Sequence, residues 1–313
     1  MNKFVTILLL LFFTTGLFAG DDKSPIIPNV SNGQIVHYTK FSSQYVTARD
    51  INVWLPEDYS AEQQYDVLYM HDGGMLFDKE LSWNAQSWEV DEVAGALLSS
   101  GKVTAFIVVG ISNAGALRHS DYFPQKPWEA LSLLQQEKLY NSKREGGVDI
   151  FKAAVASDNY LKFLVKELKP LIEQQFSVNT GPEHTFVMGS SMGGLISIYA
   201  ISEYPDVFGG AACLSTHWPG IFNLQNNPIP EAFYAYLREH LPNPETHKIY
   251  FDFGTETLDA MYAPLQTKVD GIMRDKGFGA TNWKTMRFEG AAHTESAWQQ
   301  RLHIPLQFLF EKK

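Results

Sequence analysis

The sequence predicts an α/β fold with a central, mostly parallel sheet covered by helices on both faces. Three observations carry that prediction. Short apolar runs alternate with amphipathic stretches along most of the chain. Residues 103–111 are almost continuously apolar, as a strand buried on both faces must be. At 187–195 an apolar run passes through glycines and serines directly into a helical pattern. Strands that alternate with helices pair in parallel, because each helix serves as the return crossover.

The first twenty residues stand outside this pattern. Lys3 precedes an apolar run to Phe13, small residues follow, and Asp21-Asp22 closes the segment. A positive start, a short apolar centre and a small-residue end make residues 1–20 a signal peptide. The run is short for a membrane span of roughly 20 residues, so cleavage without stable membrane insertion is expected. No Cys stands near the cleavage site for a lipid anchor. The mature chain is therefore expected to be periplasmic or secreted. Residues 21–313 contain no low-complexity linker, charge block or repeat, and are expected to form a single domain.

The elements follow in order. Residues 45–55 alternate as an antiparallel strand that ends at Pro56, and 65–70 make a buried strand running into His71-Asp72-Gly73-Gly74. Residues 88–98 have helical spacing, and 103–111 form the central strand. Residues 111–149 hold Asn113, Arg118, Tyr122, Phe123 and Trp128 among several glycines and prolines. So long an irregular stretch is expected to be a functional loop or lid over the carboxyl edge of the sheet. A helix interrupted by Pro170 is expected over 158–176, then a strand at 185–188, a helix at 191–202 and a strand at 209–214. A helix near 231–240, a strand at 248–253, a helix at 260–276, a strand at 283–289 and a helix from about 294 complete the chain.

Composition excludes several classes of function. With 45% hydrophobic and 19% charged residues, the chain is neither disordered nor polytopic. A single Cys rules out an internal disulfide and any Cys-built metal site. The net charge is −10, and −11 once Lys3 is removed, which argues against nucleic acid as a partner. No H-E-x-x-H or phosphate-binding glycine loop is present, so neither a metal nor another cofactor is expected.

The chemistry centres on Gly189-Ser190-Ser191-Met192-Gly193, where only Ser191 stands at the centre of G-x-S-x-G. A strand entering and a helix leaving are what a nucleophile elbow requires. The plain alternative is a small-residue turn packing a helix on a sheet. A serine nucleophile needs a base, and in this chain order the base comes last. His293 lies in the small-residue loop after the last strand, where that base belongs. The acid should follow strand 248–253, where Glu256 and Asp259 are both available, and spacing alone does not choose. For an oxyanion hole, Met192 supplies one N–H at a helix start, and Gly74 of the strand-exit loop supplies the second. His217 and Trp218 follow strand 209–214 at the same edge and are read as substrate-binding residues lining a pocket.

These residues resemble the putative-esterase branch of the α/β-hydrolases, which contains enterochelin esterases, feruloyl and acetyl-xylan esterases, S-formylglutathione hydrolases and mycolyltransferases. The resemblance runs over about 45–311. It rests on Arg49 to Pro56, His71-Asp72-Gly73, Gly189 to Gly194, Gly254-Thr255 and Gly290 to His293 with Trp298 after it. It implies an α/β-hydrolase fold and a serine esterase acting through an acyl-enzyme, with Ser191 attacking and His293 moving the proton. Family members often carry their acid at the position of Thr257; the stretch Leu258 to Tyr262 looks like that of related secreted esterases and favours Asp259 over Glu256. The implied partner is a small-molecule or oligosaccharide ester. Short acyl, carbohydrate or feruloyl esters suit an acidic protein better than an anionic siderophore. An acyltransferase and a non-catalytic binding protein on the same fold are the remaining readings.

Overall fold

The computed structural model describes residues 26–312. The expected leader at 1–20 lies outside the described residues. Among those described, no helix is long and apolar enough to cross a membrane.

Eight strands form one sheet in the order β1-β2-β4-β3-β5-β6-β7-β8. In chain order they are β1 (Gln34–Phe41), β2 (Arg49–Leu55), β3 (Asp66–His71), β4 (Phe106–Ile111), β5 (Thr185–Ser190), β6 (Gly210–Leu214), β7 (Lys248–Gly254) and β8 (Trp283–Phe288). The β1–β2 and β2–β4 pairs are antiparallel, and every other pair is parallel. Adjacent residues of each central strand feed opposite cores. Val67, Tyr69 and Val187 face one apolar cluster, while Leu68, Met70, Phe186 and Met188 face the other. This is the period-2 geometry of a strand covered on both sides.

The helices are α1 (Val90–Ser99), α2 (Arg118–Tyr122), α3 (Gln125–Glu129), α4 (Leu133–Tyr140), α5 (Ser157–Phe163), α6 (Lys169–Gln175) and α7 (Met192–Glu203). There follow α8 (Ile229–His240), α9 (Ala263–Asp275), α10 (Glu295–Gln299) and α11 (His303–Phe310). Between α5 and α6 the chain makes a wider π turn, Leu164–Leu168, just before Pro170. A proline gives no N–H to the carbonyl four residues back and its ring crowds that carbonyl, so the preceding turn opens. Helix α7 is buried from Met192 to Ser202, a core helix without a solvent face.

Three sequence expectations are corrected. The half-exposed edge strand β1 was not anticipated. The stretch 111–149 is not an irregular lid: it holds α2, α3 and α4. Its aromatic residues Tyr122, Phe123 and Trp128 are 0%, 1% and 4% exposed and belong to the core rather than to an open pocket wall. The last expected helix is two, α10 and α11.

The sheet prepares its carboxyl edge by close packing of glycines. A Cβ on Gly189 would lie 2.8 Å from the backbone carbon of Gly193, and one on Gly194 would lie 2.8 Å from Thr216 Oγ1. The start of α7 is thereby drawn against the ends of β5 and β6. Gly189→Ala is expected to lower the stability by about 1–3 kcal/mol, as overpacking a rigid site does. Gly271→Ala, in mid-α9 with nothing within 4 Å of the new methyl, is expected to raise it by about 0.5–1 kcal/mol. Urea midpoints of the two variants test the pair.

Candidate active site

Ser191 sits between β5 and α7 with φ 58° and ψ −118°, a left-handed strand-to-helix turn that a non-glycine residue adopts only under constraint. Its N–H donates to Leu214 O at 2.9 Å, and its carbonyl accepts from Gly194, Leu195 and His217 at 3.0, 3.2 and 3.2 Å. The serine is thus tied to the end of β6 and to the segment after it. The first N–H groups of α7, Met192 foremost, have no acceptor within the helix.

His293 is held from two directions. Its own N–H donates to Thr257 Oγ1 at 2.8 Å, and its Nδ1 lies 2.5 Å from Asp259 Oδ1. The imidazole edge packs against Trp298, with centroids 4.9 Å apart. The Asp259 side chain is wholly buried. Its second oxygen accepts from Gly254 N–H at 2.6 Å and from Ser215 Oγ at 2.5 Å. Ser215 Oγ in turn accepts from Trp298 Nε1 at 2.9 Å and from Arg301 at 3.1 Å. Arg301 also grips the buried carboxylate of Asp252 at 3.0 and 3.2 Å. Asp252 is therefore structural, bound into the scaffold beneath the site. Burial raises its pKa, while Arg301 opposes the rise.

Of the two acids the sequence left open, the structure brings Asp259 to His293. Glu256 is exposed and its carboxylate has no partner among the described residues. Gly74 is also exposed, with open space where a Cβ would stand; Gly73 is the residue that requires glycine, since a Cβ there would lie 2.7 Å from the backbone of Gly110 and Ile111. Trp218 is a core residue rather than the wall of an open pocket. It is 1% exposed, its indole N–H donates to Gln266 at 2.9 Å, and its ring packs on Phe233 and Phe251. His217 does lie beside Ser191, but buried, with Nδ1 2.7 Å from the Tyr262 hydroxyl.

The sequence reading missed Asp72 as an organiser. Asp72 lies next to the start of α7: a Cβ on Gly193 would stand 3.5 Å from both Asp72 Oδ2 and His71 Cβ. Arg118 clamps both Asp72 oxygens at 2.6 and 2.7 Å, and Asn113 donates to Oδ1 at 2.7 Å. Burial alone would raise the Asp72 pKa, but these donors hold it below the ordinary value. Asn113 and Arg118, expected in a functional loop or lid, thus fix the exit of β3. Arg144 stacks over Phe222, which packs on His217, and it meets no carboxylate among the described residues.

The family described as "Putative esterase" matches residues 42–308. A Bacillus subtilis (strain 168) protein, YbbA, described as uncharacterized, is 22% identical over 272 residues, which are 84% of this chain and 93% of that protein. An endo-1,4-beta-xylanase/feruloyl esterase of Xylanibacter ruminicola is 25% identical over 290 residues; the match takes in 90% of this chain and 32% of that longer protein. A solved ferulic acid esterase superposes with a TM-score of 0.62 at 20% identity, covering 88% of this chain and 98% of the other. The enterobactin esterase FES of Shigella flexneri, in the presence of enterobactin, gives 0.62 at 18%, covering 91% and 60%. At these identities the structural likeness establishes the fold alone.

Three histidines near the site are buried and neutral. Burial pushes His71 and His119 down to about 3, with the Arg118 charge adding to the effect, although Asp72 pulls His71 back upward. Burial, reinforced by the neighbouring His293 and His119 rings and by the Arg118 and Arg144 charges, holds His217 well below its ordinary value. Below pH 6.5 the unfolded chain takes up protons at these positions while the folded chain refuses them, so stability falls with falling pH. Each histidine adds a slope of up to about 1.4 kcal/mol per pH unit. Urea titrations from pH 7 to 5 are expected to show this fall, and His119→Gln to make it shallower.

Proposed function

We propose a serine-nucleophile mechanism for this chain, which belongs to the "Putative esterase" family and is a carboxylic ester hydrolase. The observation that carries the reading is the 2.5 Å contact between His293 Nδ1 and a wholly buried Asp259, with Ser191 at the strained turn into α7. Ser191 Oγ attacks the ester carbonyl and its proton passes to His293 Nε2. The C–O bond to the alcohol then breaks, and the alcohol leaves with that proton. Water attacks the acyl-enzyme by the same route, with His293 as base. Asp259 fixes the tautomer that leaves Nε2 free and stabilises the imidazolium. The Met192 N–H at the start of α7, and the Gly74 N–H of the β3 exit, receive the oxyanion.

The substrate we propose is a short acyl, carbohydrate or feruloyl-type ester, cleaved outside the cell or in the periplasm by a single-domain mature chain of residues 21–313. Two of the similar proteins are feruloyl or ferulic acid esterases by name, and such esters suit a secreted acidic protein. One observation favours a second reading. Arg144, without a carboxylate partner among the described residues, offers a positive charge beside Phe222 and His217, as an anionic siderophore ester would need.

Ser191→Ala is expected to stay folded and to lose roughly 10⁴-fold in kcat on a chromogenic short-chain ester. Asp259→Asn should be crippled and Glu256→Gln close to wild type; the reverse ranking would overturn the assignment of the acid. A substrate panel of acetylated xylo-oligosaccharides, methyl ferulate, esters of increasing chain length and a ferric catecholate triester separates the readings. Activity that climbs steadily to decanoyl esters would exclude all of the proposed classes.

A further inference from the structure

Arg301 takes no part in that mechanism, yet only one hydroxyl separates it from the acid. It is buried, its guanidinium lies over the Phe288 ring at 4.8 Å, and its N–H groups are divided between two partners. Nε and Nη2 fork onto the Asp252 carboxylate at 3.2 and 3.0 Å, and Nη2 also donates to Ser215 Oγ at 3.1 Å. Trp298 Nε1 donates to the same hydroxyl oxygen at 2.9 Å. Both lone pairs of Ser215 Oγ are then taken, so its own proton goes to Asp259 Oδ2, 2.5 Å away. Asp259 thus accepts from Ser215 on one oxygen and from His293 Nδ1 on the other.

Charge decides what this chain of bonds can do. Asp252 accepts from Arg301 on both oxygens and from Tyr250 Oη at 3.1 Å, an arrangement that suits the ionised form. Asp259 likewise has donors on both oxygens. Two buried carboxylates against one guanidinium leave one negative charge uncompensated. The titratable groups packed around them from the neighbouring elements stay neutral. Burial pushes Tyr250, Tyr262 and Cys213 up and His217 down. Glu295, on the segment after His293, is taken up by Asn84 at 2.7 Å. His293 is left to balance the charge, and it does so as imidazolium once Ser191 gives up its proton.

We propose that Arg301 and Ser215 are positioning residues of the reaction: Arg301, shared between Asp252 and Ser215, draws on the negative charge of Asp259 through the Ser215 hydroxyl and so sets how readily His293 takes up a proton. Without Arg301 the two carboxylates would hold a proton on His293 into neutral pH, and the base would be blocked. Without Asp252 the whole guanidinium charge would oppose the imidazolium. Sharing one cation between two carboxylates places the base between these limits. Neither Arg301 nor Ser215 touches the ester, and neither transfers a proton. The inference rests on the reading of Ser191, His293 and Asp259 as nucleophile, base and acid.

The test is the acid limb of the pH profile, read from kcat/KM on a chromogenic short-chain ester and from the rate of fluorophosphonate labelling at Ser191. Arg301→Gln is expected to move the limb up by about one pH unit, and Asp252→Asn to move it down by about as much, as removal of a close charge does. Ser215→Ala, which cuts the link and leaves both charges in place, is expected to move it up by less. Arg301→Lys keeps the charge and is expected to recover most of the Arg301→Gln shift. The activity that Arg301→Gln loses at pH 7 is expected to return by about pH 9, with KM within about twofold. A merely structural cluster would lower the melting temperature in all four variants and leave the limb where it was. Should Arg301→Gln fail to fold, the opposite shifts of Asp252→Asn and Ser215→Ala carry the test. Limbs that stay at the wild-type pH, or that move the same way in Asp252→Asn and Ser215→Ala, would overturn the proposal, while an inactive Ser191→Ala leaves the nucleophile standing. An active Ser191→Ala would sink both.

Discussion

The Asp259 carboxylate is the interaction on which the rest of the site depends. A wholly buried carboxylate is tolerated only when its lone pairs are taken up, since each unpaired buried charge costs several kcal/mol. Here three donors meet it: Gly254 N–H at the end of β7, Ser215 Oγ just after β6, and His293 after β8. One side chain thus joins the ends of three adjacent strands. The donors also restrict one another, because Ser215 can face Asp259 only while Trp298 and Arg301 face Ser215. The geometry of the imidazole is in this way set by a network anchored in the sheet rather than by its own loop.

A second constraint is conformational. The exits of β3, β5, β6 and β7 each carry a non-glycine residue at positive φ: Asp72 at 60°, Ser191 at 58°, Ser215 at 42° and Thr257 at 53°. Strain of order 1–3 kcal/mol at each position is sustained by packing and hydrogen bonds around it. Asp72 is clamped by Arg118, Ser191 is fastened to Leu214, Ser215 is bonded to Asp252 O through its N–H, and Thr257 receives the N–H of His293. Four neighbouring strands thus end in left-handed turns at the same edge of the sheet. The strand order reverses between β3 and β5, where open α/β sheets place their ligands.

Much of this was legible in the sequence, and the limits have physical causes. The central strands announce themselves because burial on both faces demands unbroken apolar runs. The elbow shows because only glycine fits at 189 and 194. Edge strand β1 is half-exposed and carries His37, Thr39 and Lys40, so no apolar pattern marks it. Short helices α2 to α4 are made by tertiary packing of Tyr122, Phe123 and Trp128, which intrinsic propensity does not reveal. The choice of Asp259 over Glu256 depends on a single 3₁₀ turn, Thr257–Met261, that decides which carboxylate faces inward. Trp218 read as a pocket wall because an aromatic at a sheet edge and one in the core look alike until the partner Gln266 is seen.

The residues that complete the network lie close to the end of the chain. His293, Trp298 and Arg301 come from the segment around α10, whereas Ser191 and its elbow are made a hundred residues earlier. During synthesis the strands from β2 to β6 can pair, and the elbow can tighten, while Asp259 still lacks its imidazole and Ser215 its indole and guanidinium. Chains fold from the N-terminal side as they emerge, so the segment 293–301 acts as a keystone set after the elbow. Until His293, Trp298 and Arg301 have emerged, Asp259 and Ser215 lack three of their partners, and the network that spans the ends of β6, β7 and β8 stays open.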